Sequence, residues 1–418
     1  MRPSYTRIIL WFIIILGILL RMTDVGFPDM ATDEAQFALG ASAAQPPGGM
    51  AFFAMAQMLF GANAVAVRSV SVALGIATVA LIYLIARETT NKQTALIIAA
   101  IAAMFPSHIL FSRLAYLSVP LCFAWTLTLL MFLQTRKKES TALLLGLFGA
   151  SVLATYTKTQ GLLLPGALLL GRIIETRRQC FRDGICWILG LSLIPILLYI
   201  GTHPGIAATL LLYGGNMYGF SGFIGRIDML VNLWWHLLPF FLLLGLLSIT
   251  ELRRLSWPLL MLLSIGTCIG LVLGPAHEYY ATYLVYWSIP MGILVARWKS
   301  RTQIMMFGVL IVSVLLTLGP RDILRTPWTH PLFVREGYWN VHAKDINAIL
   351  EDEEEVIAIG PAGHHIRWYL QPRILVGKDM NLSQTNGTYL LLNKFERDRL
   401  GKASVLYEDG EITILRSE

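Results

Sequence analysis

The chain has 418 residues, of which 56% are hydrophobic and only 14% charged, with a mean hydropathy of +0.62. A soluble domain carries about 25% charged residues, so this composition excludes an ordinary soluble protein, and it excludes a disordered one. The net charge of +7 comes from 33 basic and 26 acidic residues; the basic ones sit in short clusters beside apolar runs, which fits a polytopic membrane protein and not a nucleic-acid footprint.

A spanning helix needs about 20 mostly apolar residues. In chain order, candidate spans centre on residues 8–20, 69–86, 94–105, 118–134, 141–156, 161–174, 184–201, 229–250, 255–275, 281–296 and 303–318. The fold class expected is an α-helical polytopic membrane protein of about 11 transmembrane helices with a small C-terminal α/β soluble domain. The first span is not read as a cleavable signal, because Arg21 follows it directly and no small-x-small site does. Cys122, Cys180, Cys186 and Cys268 lie in or beside apolar segments without a CxxC pair, so neither a disulfide framework nor a zinc site is indicated.

Lysine and arginine counts orient the spans. With the N-terminus in the cytoplasm, the inner loops hold sixteen basic residues, among them Arg2, Arg7, Arg136, Lys137, Arg253 and Arg301. The outer loops hold five: Arg21, Arg68, Arg113, Lys158 and Arg226. That bias follows the positive-inside rule, and an odd number of spans puts the C-terminal segment outside. The localisation expected is the inner cell membrane, multi-pass. Isolated charges at membrane depth are costly and mark functional sites, and four outer elements carry them: residues 21–68, 106–117, 157–160 and 276–280.

The first of these is the longest loop of the membrane part. Thr32 is placed to cap a helix that opens with Asp33-Glu34 and continues as AQFALGASAA. Pro46-Pro47 then breaks that helix, and residues 50–59 are apolar enough to lie in the interface. A carboxylate pair at such a boundary suits a general base, a metal ligand or a helix cap.

The order of features here resembles the GT-C class of polyprenyl-phosphate-dependent glycosyltransferases, closest to the dolichyl-phosphate-mannose protein mannosyltransferase and aminoarabinose-transferase type (glycosyltransferase family 39-like). Leu20-Arg21, Asp33-Glu34, Pro46-Pro47, Phe60-Gly61, Arg68, Tyr83-Leu84 and Ala86-Arg87 carry it, followed by Ser112-Arg113-Leu114 and Tyr156-Thr157-Lys158 with Gly161. No single motif is specific; their order over residues 8–165 is. Beyond that the resemblance rests on layout, Tyr283 and Pro290.

The resemblance implies a glycosyltransferase in which Asp33 acts as base or orients the acceptor hydroxyl, with Glu34 in support. It implies donor-phosphate contacts from Arg113, Lys158 and His277, and substrate contacts from Gln45, Glu278 and Tyr283. The donor would be a polyprenyl-phosphate-linked sugar, and the acceptor a glycan, lipid or protein hydroxyl on the extracytoplasmic face. No cofactor is required and no metal site is expected, a divalent ion being left open. Three departures stand out: Ser118 and Gln45 occupy places where relatives carry charge, and the late loop reads His277-Glu278-Tyr279-Tyr280.

The layout suits this chemistry. A lipid-phosphate donor needs a lipid-lined groove, a cationic grip on the departing phosphate and a base for the acceptor. No GxGxxG follows a strand, which disfavours a nucleotide-sugar donor. The Gly- and Tyr-rich stretch 202–228 reads as a lid or as a plain interfacial loop.

From about residue 320 the composition turns polar, so the division expected is a transmembrane glycosyltransferase domain at 1–319, including the loop 21–68, and an extracytoplasmic domain at 320–418. Helices are expected at 344–350 and 364–370, and strands at 355–360, 373–376, 389–393, 403–407 and 411–416. Asn381 and Asn386 fit the glycosylation pattern, and His364-His365 reads as an exposed helix start. Two other readings stay open: a polyprenyl-diphosphate oligosaccharide ligase, and a lipid-linked sugar transporter or flippase. Against the latter, no repeat relates the two halves and the charges lie at span ends, not at the midplane.

Overall fold

A computed structural model describes residues 3–22, 25, 32–40, 45–203, 238–273, 278–317, 338–351, 355–359, 373–376, 388–391, 403–408 and 413–417. The chain divides into two compact units, one of residues 1–25 and 42–328, the other of residues 26–41 and 329–418.

The first unit is helical. Its helices are α1 (Pro3–Met22), α3 (Pro47–Phe60), α4 (Ala64–Thr89), α5 (Lys92–Ala103), α6 (Pro106–Ser112), α7 (Ser118–Lys137), α8 (Thr141–Thr157), α9 (Leu163–Thr176) and α10 (Gly184–Thr202). They continue with α11 (Leu238–Ser248), α12 (Trp257–Thr267), a 3-10 stretch Glu278–Trp287, α13 (Ser288–Val295) and α14 (Ser300–Thr317). Among the described residues, α1, α4, α7 and α10 are long and apolar enough to cross a membrane, and α5 with α6 forms one bent pair. Four further apolar stretches among the described residues, 47–60, 141–157, 257–270 and 281–295, are shorter.

The chemistry at the helix ends is readable. Asn63 accepts from the Ala66 amide at 2.8 Å, Asn91 from that of Thr94 at 2.9 Å, and Asp183 from those of Ile185 and Cys186 at 2.9 and 3.2 Å. Each satisfies amides that the first helical turn leaves open. Pro47 and Pro106 sit in the first turns of α3 and α6, where a missing N–H is harmless. Pro106 also forces Phe105 into an extended conformation, which ends α5 and bends the chain by 57°. Residues 106–112, expected as loop, are therefore a short helix, and all seven of them are buried.

One end of this unit is tied by ion pairs. Lys137 meets Glu88, Arg136 meets Glu175, and Arg172 lies 2.7 Å from Asp183 and 3.0 Å from Glu175. Glu251, 2% exposed, lies 2.6 Å from Arg297 and 3.0 Å from Arg254. These groups stand at the ends of helices that meet the basic clusters. Apolar side chains such as Ile8, Trp11, Phe12 and Leu19 of α1 stay exposed, as a lipid-facing surface requires.

The second unit holds α2 (Thr32–Ala38), α15 (Tyr338–Ile349) and five strands: β1 (Glu355–Ile359), β2 (Arg373–Val376), β3 (Thr388–Leu391), β4 (Ala403–Glu408) and β5 (Thr413–Ser417). The sheet order is β2-β1-β3-β5-β4. β1 runs parallel to β2 and β3, while β5 pairs antiparallel with β3 and β4. Val356, Ile414 and Leu415 are buried, as are Ile346 and Leu350 from α15 and its end. The strands fall within two residues, at each end, of the stretches expected at 355–360, 373–376, 389–393, 403–407 and 411–416. The helix expected at 364–370, His364-His365, Asn381 and Asn386 lie outside the described residues.

α2 ends sooner than its sequence suggests. The run AQFALGASAA was expected to continue it, but Leu39 and Gly40 turn back onto Ala35 and Phe37. Gly40 has φ +65, a left-handed conformation that closes helices and that glycine adopts without strain.

Candidate active site

The described residues of the first unit bury three cations, Arg21, Arg68 and Lys158, none more than 1% exposed. Each stands at a place where a helix ends or begins away from the ion-paired end. Charge at such depth is expensive and is kept where it works.

Arg21 closes α1. Its Nη1 donates to the Gly17 carbonyl at 3.1 Å and to that of Ala103 at 2.9 Å, and its Nη2 donates to His108 Nδ1 at 2.8 Å. A guanidinium has no acceptor, so Nδ1 must be the acceptor and a neutral His108 carries its proton on Nε2. Gly75 makes this approach feasible: a Cβ there would lie 2.3 Å from Ser112 Oγ and 3.4 Å from Arg21 Nε. The partners of Arg21 are all neutral, so a full positive charge remains inside. Arg21→Met keeps the bulk and removes the charge. Orphaning the Ala103 carbonyl costs, and relief of desolvation offsets part of it. The expected loss is about 2 kcal/mol, read as a lower thermal midpoint in detergent.

Lys158 links α8 to a 3-10 turn, Thr159–Leu162, in an extended conformation. Its carbonyl accepts from the Gly161 amide at 2.7 Å. Gln45 reaches this turn from the far side of the chain, its Oε1 accepting from the Thr159 amide at 3.3 Å and from Thr159 Oγ1 at 3.4 Å. The start of α3 lies directly on the same backbone: a Cβ at Gly48 would stand 2.7 Å from the Tyr156 carbonyl, and one at Gly49 2.6 Å from that of Thr157. Two sequence-expected residues, Gln45 and Lys158, are thus brought to one turn. The Gln45 bonds are long, so Gln45→Ala is expected to lower turnover only a few-fold and to leave the thermal midpoint unchanged.

Behind the turn, Trp125 donates to the Gly161 carbonyl at 3.1 Å, and its ring packs on Tyr283 at 5.1 Å between centroids. Tyr283 is fully buried there. Tyr286 donates to the Cys122 carbonyl at 3.0 Å, and Ser107 to that of Ala281 at 2.8 Å, so α6 and α7 hold the 3-10 stretch on two sides. Arg113, half-buried, ends α6, and Ser118, fully buried, begins α7. Arg68 donates to the Val25 carbonyl at 3.1 Å.

Asp33 and Glu34 lie in the first turn of α2, in the second unit, and Glu34 is buried. His277 and residues 204–237, with the expected lid, lie outside the described residues; Glu278 begins the 3-10 stretch. Among the described residues no group of three or more His, Cys, Asp and Glu could hold a metal ion. The pairing of Arg21 with His108 was not anticipated; its signal was an arginine ending one apolar run and a histidine inside another.

Comparison with known proteins bears on this arrangement. Residues 44–200 match the family model of dolichyl-phosphate-mannose-protein mannosyltransferases, a stretch that includes Gln45, Arg68, Arg113 and Lys158. No curated protein matches the chain. Among solved structures, the fold is similar to ArnT from Cupriavidus metallidurans bound to undecaprenyl phosphate, with TM-score 0.69, 14% identity, and coverage of 100% of this chain and 99% of that one. It is similar to the arabinofuranosyltransferase AftD from Mycobacteria, with TM-score 0.53, 13% identity, and coverage of 100% of this chain and 40% of that one. It is also similar to the Archaeoglobus fulgidus oligosaccharyltransferase AglB in complex with an inhibitory peptide and a dolichol-phosphate, with TM-score 0.52, 11% identity, and coverage of 88% and 64%. The resemblance drawn from the motif order is borne out: this membrane chain has the fold of the GT-C glycosyltransferases and carries, over residues 44–200, the sequence signature of their dolichyl-phosphate-mannose-protein mannosyltransferase family.

Proposed function

We propose that the chain is an integral-membrane glycosyltransferase that moves a sugar from a polyprenyl-phosphate donor to an acceptor hydroxyl on the extracytoplasmic face. The observation that carries this reading is the buried Lys158 turn, clasped by Gln45 and the glycines of α3, in a fold shared with transferases whose structures hold lipid phosphates. The orientation follows the basic clusters: N-terminus cytoplasmic, residues 320–418 outside, in the inner cell membrane.

In the reaction, the acceptor oxygen attacks the anomeric carbon and the bond from that carbon to the phosphate oxygen breaks. The phosphate leaves with the electron pair on its lipid. Asp33 takes the acceptor proton and Glu34 supports it. Lys158 and Arg113 offset the charge that grows on the leaving group, with His277 and Glu278 contributing from the late outer loop. Gln45 and Tyr283 shape the donor site, Gln45 through its hold on Thr159 and Tyr283 through Trp125. A single displacement of this kind inverts the anomeric centre.

Lys158→Met tests the phosphate grip. Transfer should fall about 100-fold, as the loss of one preorganised charged donor does, and donor affinity should fall with it, while the thermal midpoint moves little. Unchanged transfer would remove Lys158 from the site.

A further inference from the structure

Arg21 makes bonds on both sides of a bend. α5 ends at Ala103 and α6 begins at Pro106, with 57° between them. The Arg21 guanidinium holds the Ala103 carbonyl before the bend at 2.9 Å and His108 Nδ1 after it at 2.8 Å. Its third partner, the Gly17 carbonyl at 3.1 Å, belongs to α1 itself. The backbone does not hold this angle alone. The Met104 amide bonds back to Ala100 and the Phe105 amide to Ala102, but Pro106 has no amide with which to carry the ladder on. A guanidinium is a rigid planar fork, so its two terminal nitrogens set the separation of Ala103 from His108, and the angle with it. A neutral donor would satisfy the Ala103 carbonyl without burying a charge; the fork reaches both sides of the bend at once.

α6 is an arm that starts at this bend. It is buried throughout and is braced within by Ser112, whose hydroxyl donates to the His108 carbonyl. Next to His108, Ser107 donates to the Ala281 carbonyl at 2.8 Å, in the 3-10 stretch that opens with Glu278. Arg113 stands at the far end of the arm. At 1.5 Å per residue the arm is about 10 Å long, so a swing of about 6° moves that end by about 1 Å. A misplacement of about 1 Å at a reacting centre can cost about 100-fold in rate.

We infer that Arg21 is a positioning residue for the donor phosphate, acting through His108 and α6 on Arg113. The inference rests on the proposed reading of Arg113 as a phosphate contact.

The test measures equilibrium binding of labelled undecaprenyl phosphate, without sugar, to the full-length protein in detergent, at a temperature below the thermal midpoint. His108→Leu keeps most of the bulk and removes the acceptor. Binding should weaken about ten-fold, as the loss of one hydrogen bond to a charged group does. His108→Asn puts a carbonyl oxygen where Nδ1 stands and should restore the wild-type affinity. In an Arg113→Leu background, His108→Leu should weaken binding no further, because its effect passes through Arg113. A packing role alone would lower the thermal midpoint and leave the affinity of the folded fraction unchanged. Arg21→Met cuts the same bond from α1 and should match His108→Leu, so that if one variant fails to fold the other decides. Four results would each overturn the inference: wild-type affinity in a folded His108→Leu or Arg21→Met variant, equal losses in His108→Asn and His108→Leu, additive losses with Arg113→Leu, or no binding by the wild type. Binding with the expected differences but without sugar transfer would overturn the proposed function instead, and would leave the positioning role of Arg21 standing.

Discussion

Replacing Asp33 by Asn should lower sugar transfer by about 10³-fold, within the range for a lost general base, while donor binding stays at the wild-type level. Asn has the shape of Asp but accepts no proton from the acceptor hydroxyl. Asp33 is the second residue of α2, and a carboxylate in a first turn is favoured by the helix N-terminus. Replacing an anion by a neutral amide there costs only a few tenths of a kcal/mol in helix stability, so loss of transfer would not reflect unfolding. Equilibrium binding of a labelled polyprenyl-phosphate sugar separates the two roles. Loss of binding along with transfer would assign Asp33 to holding the donor, not to proton removal.

Gly161→Ala should be the most damaging substitution in the described part of the first unit. A Cβ at Gly161 would lie 1.7 Å from the Ala154 carbonyl oxygen and 2.5 Å from its carbon. Both are backbone atoms of α8, so no side chain can swing aside. The turn after Lys158 must open, and the Trp125 bond to the Gly161 carbonyl opens with it. Overpacking of this kind costs roughly 3 kcal/mol. The expected result is loss of the folded peak in detergent together with loss of transfer. Gly149→Ala and Gly166→Ala serve as controls. Nothing lies within 4 Å of an added Cβ at either position, and alanine is the better helix former, so both should be neutral or slightly stabilising.

Much of this was legible in the sequence, and the reasons are local. Hydropathy located the helices because lipid demands continuous apolar stretches. Short apolar runs between polar stretches located the strands β1 to β5, and Pro46-Pro47 marked where α3 starts. The charged motifs Leu20-Arg21 and Thr157-Lys158 stood out because charge at membrane depth is rare. What the sequence hid is non-local. Arg21 and His108 are 87 residues apart and Gln45 and Thr159 are 114 apart, and no spacing rule joins them. α6 was hidden because its seven residues are too few for a periodic signal and open with proline. Residues 26–41 were read as part of the membrane half, yet they cluster with residues 329–418. Only packing could reveal that the Asp33 helix belongs to the same compact unit as the C-terminal sheet.

In the proposed reaction the donor is a polyprenyl-phosphate monosaccharide. The most direct test reconstitutes the wild-type protein in lipid vesicles and offers a panel of radiolabelled polyprenyl-phosphate monosaccharides beside a polyprenyl-diphosphate oligosaccharide. The proposed function predicts release of label from at least one monosaccharide phosphate, to water or to added acceptor, and none from the diphosphate. Turnover of the diphosphate alone would make the chain an oligosaccharide ligase. Movement of an intact lipid-linked sugar across the vesicle membrane, without cleavage, would make it a transporter.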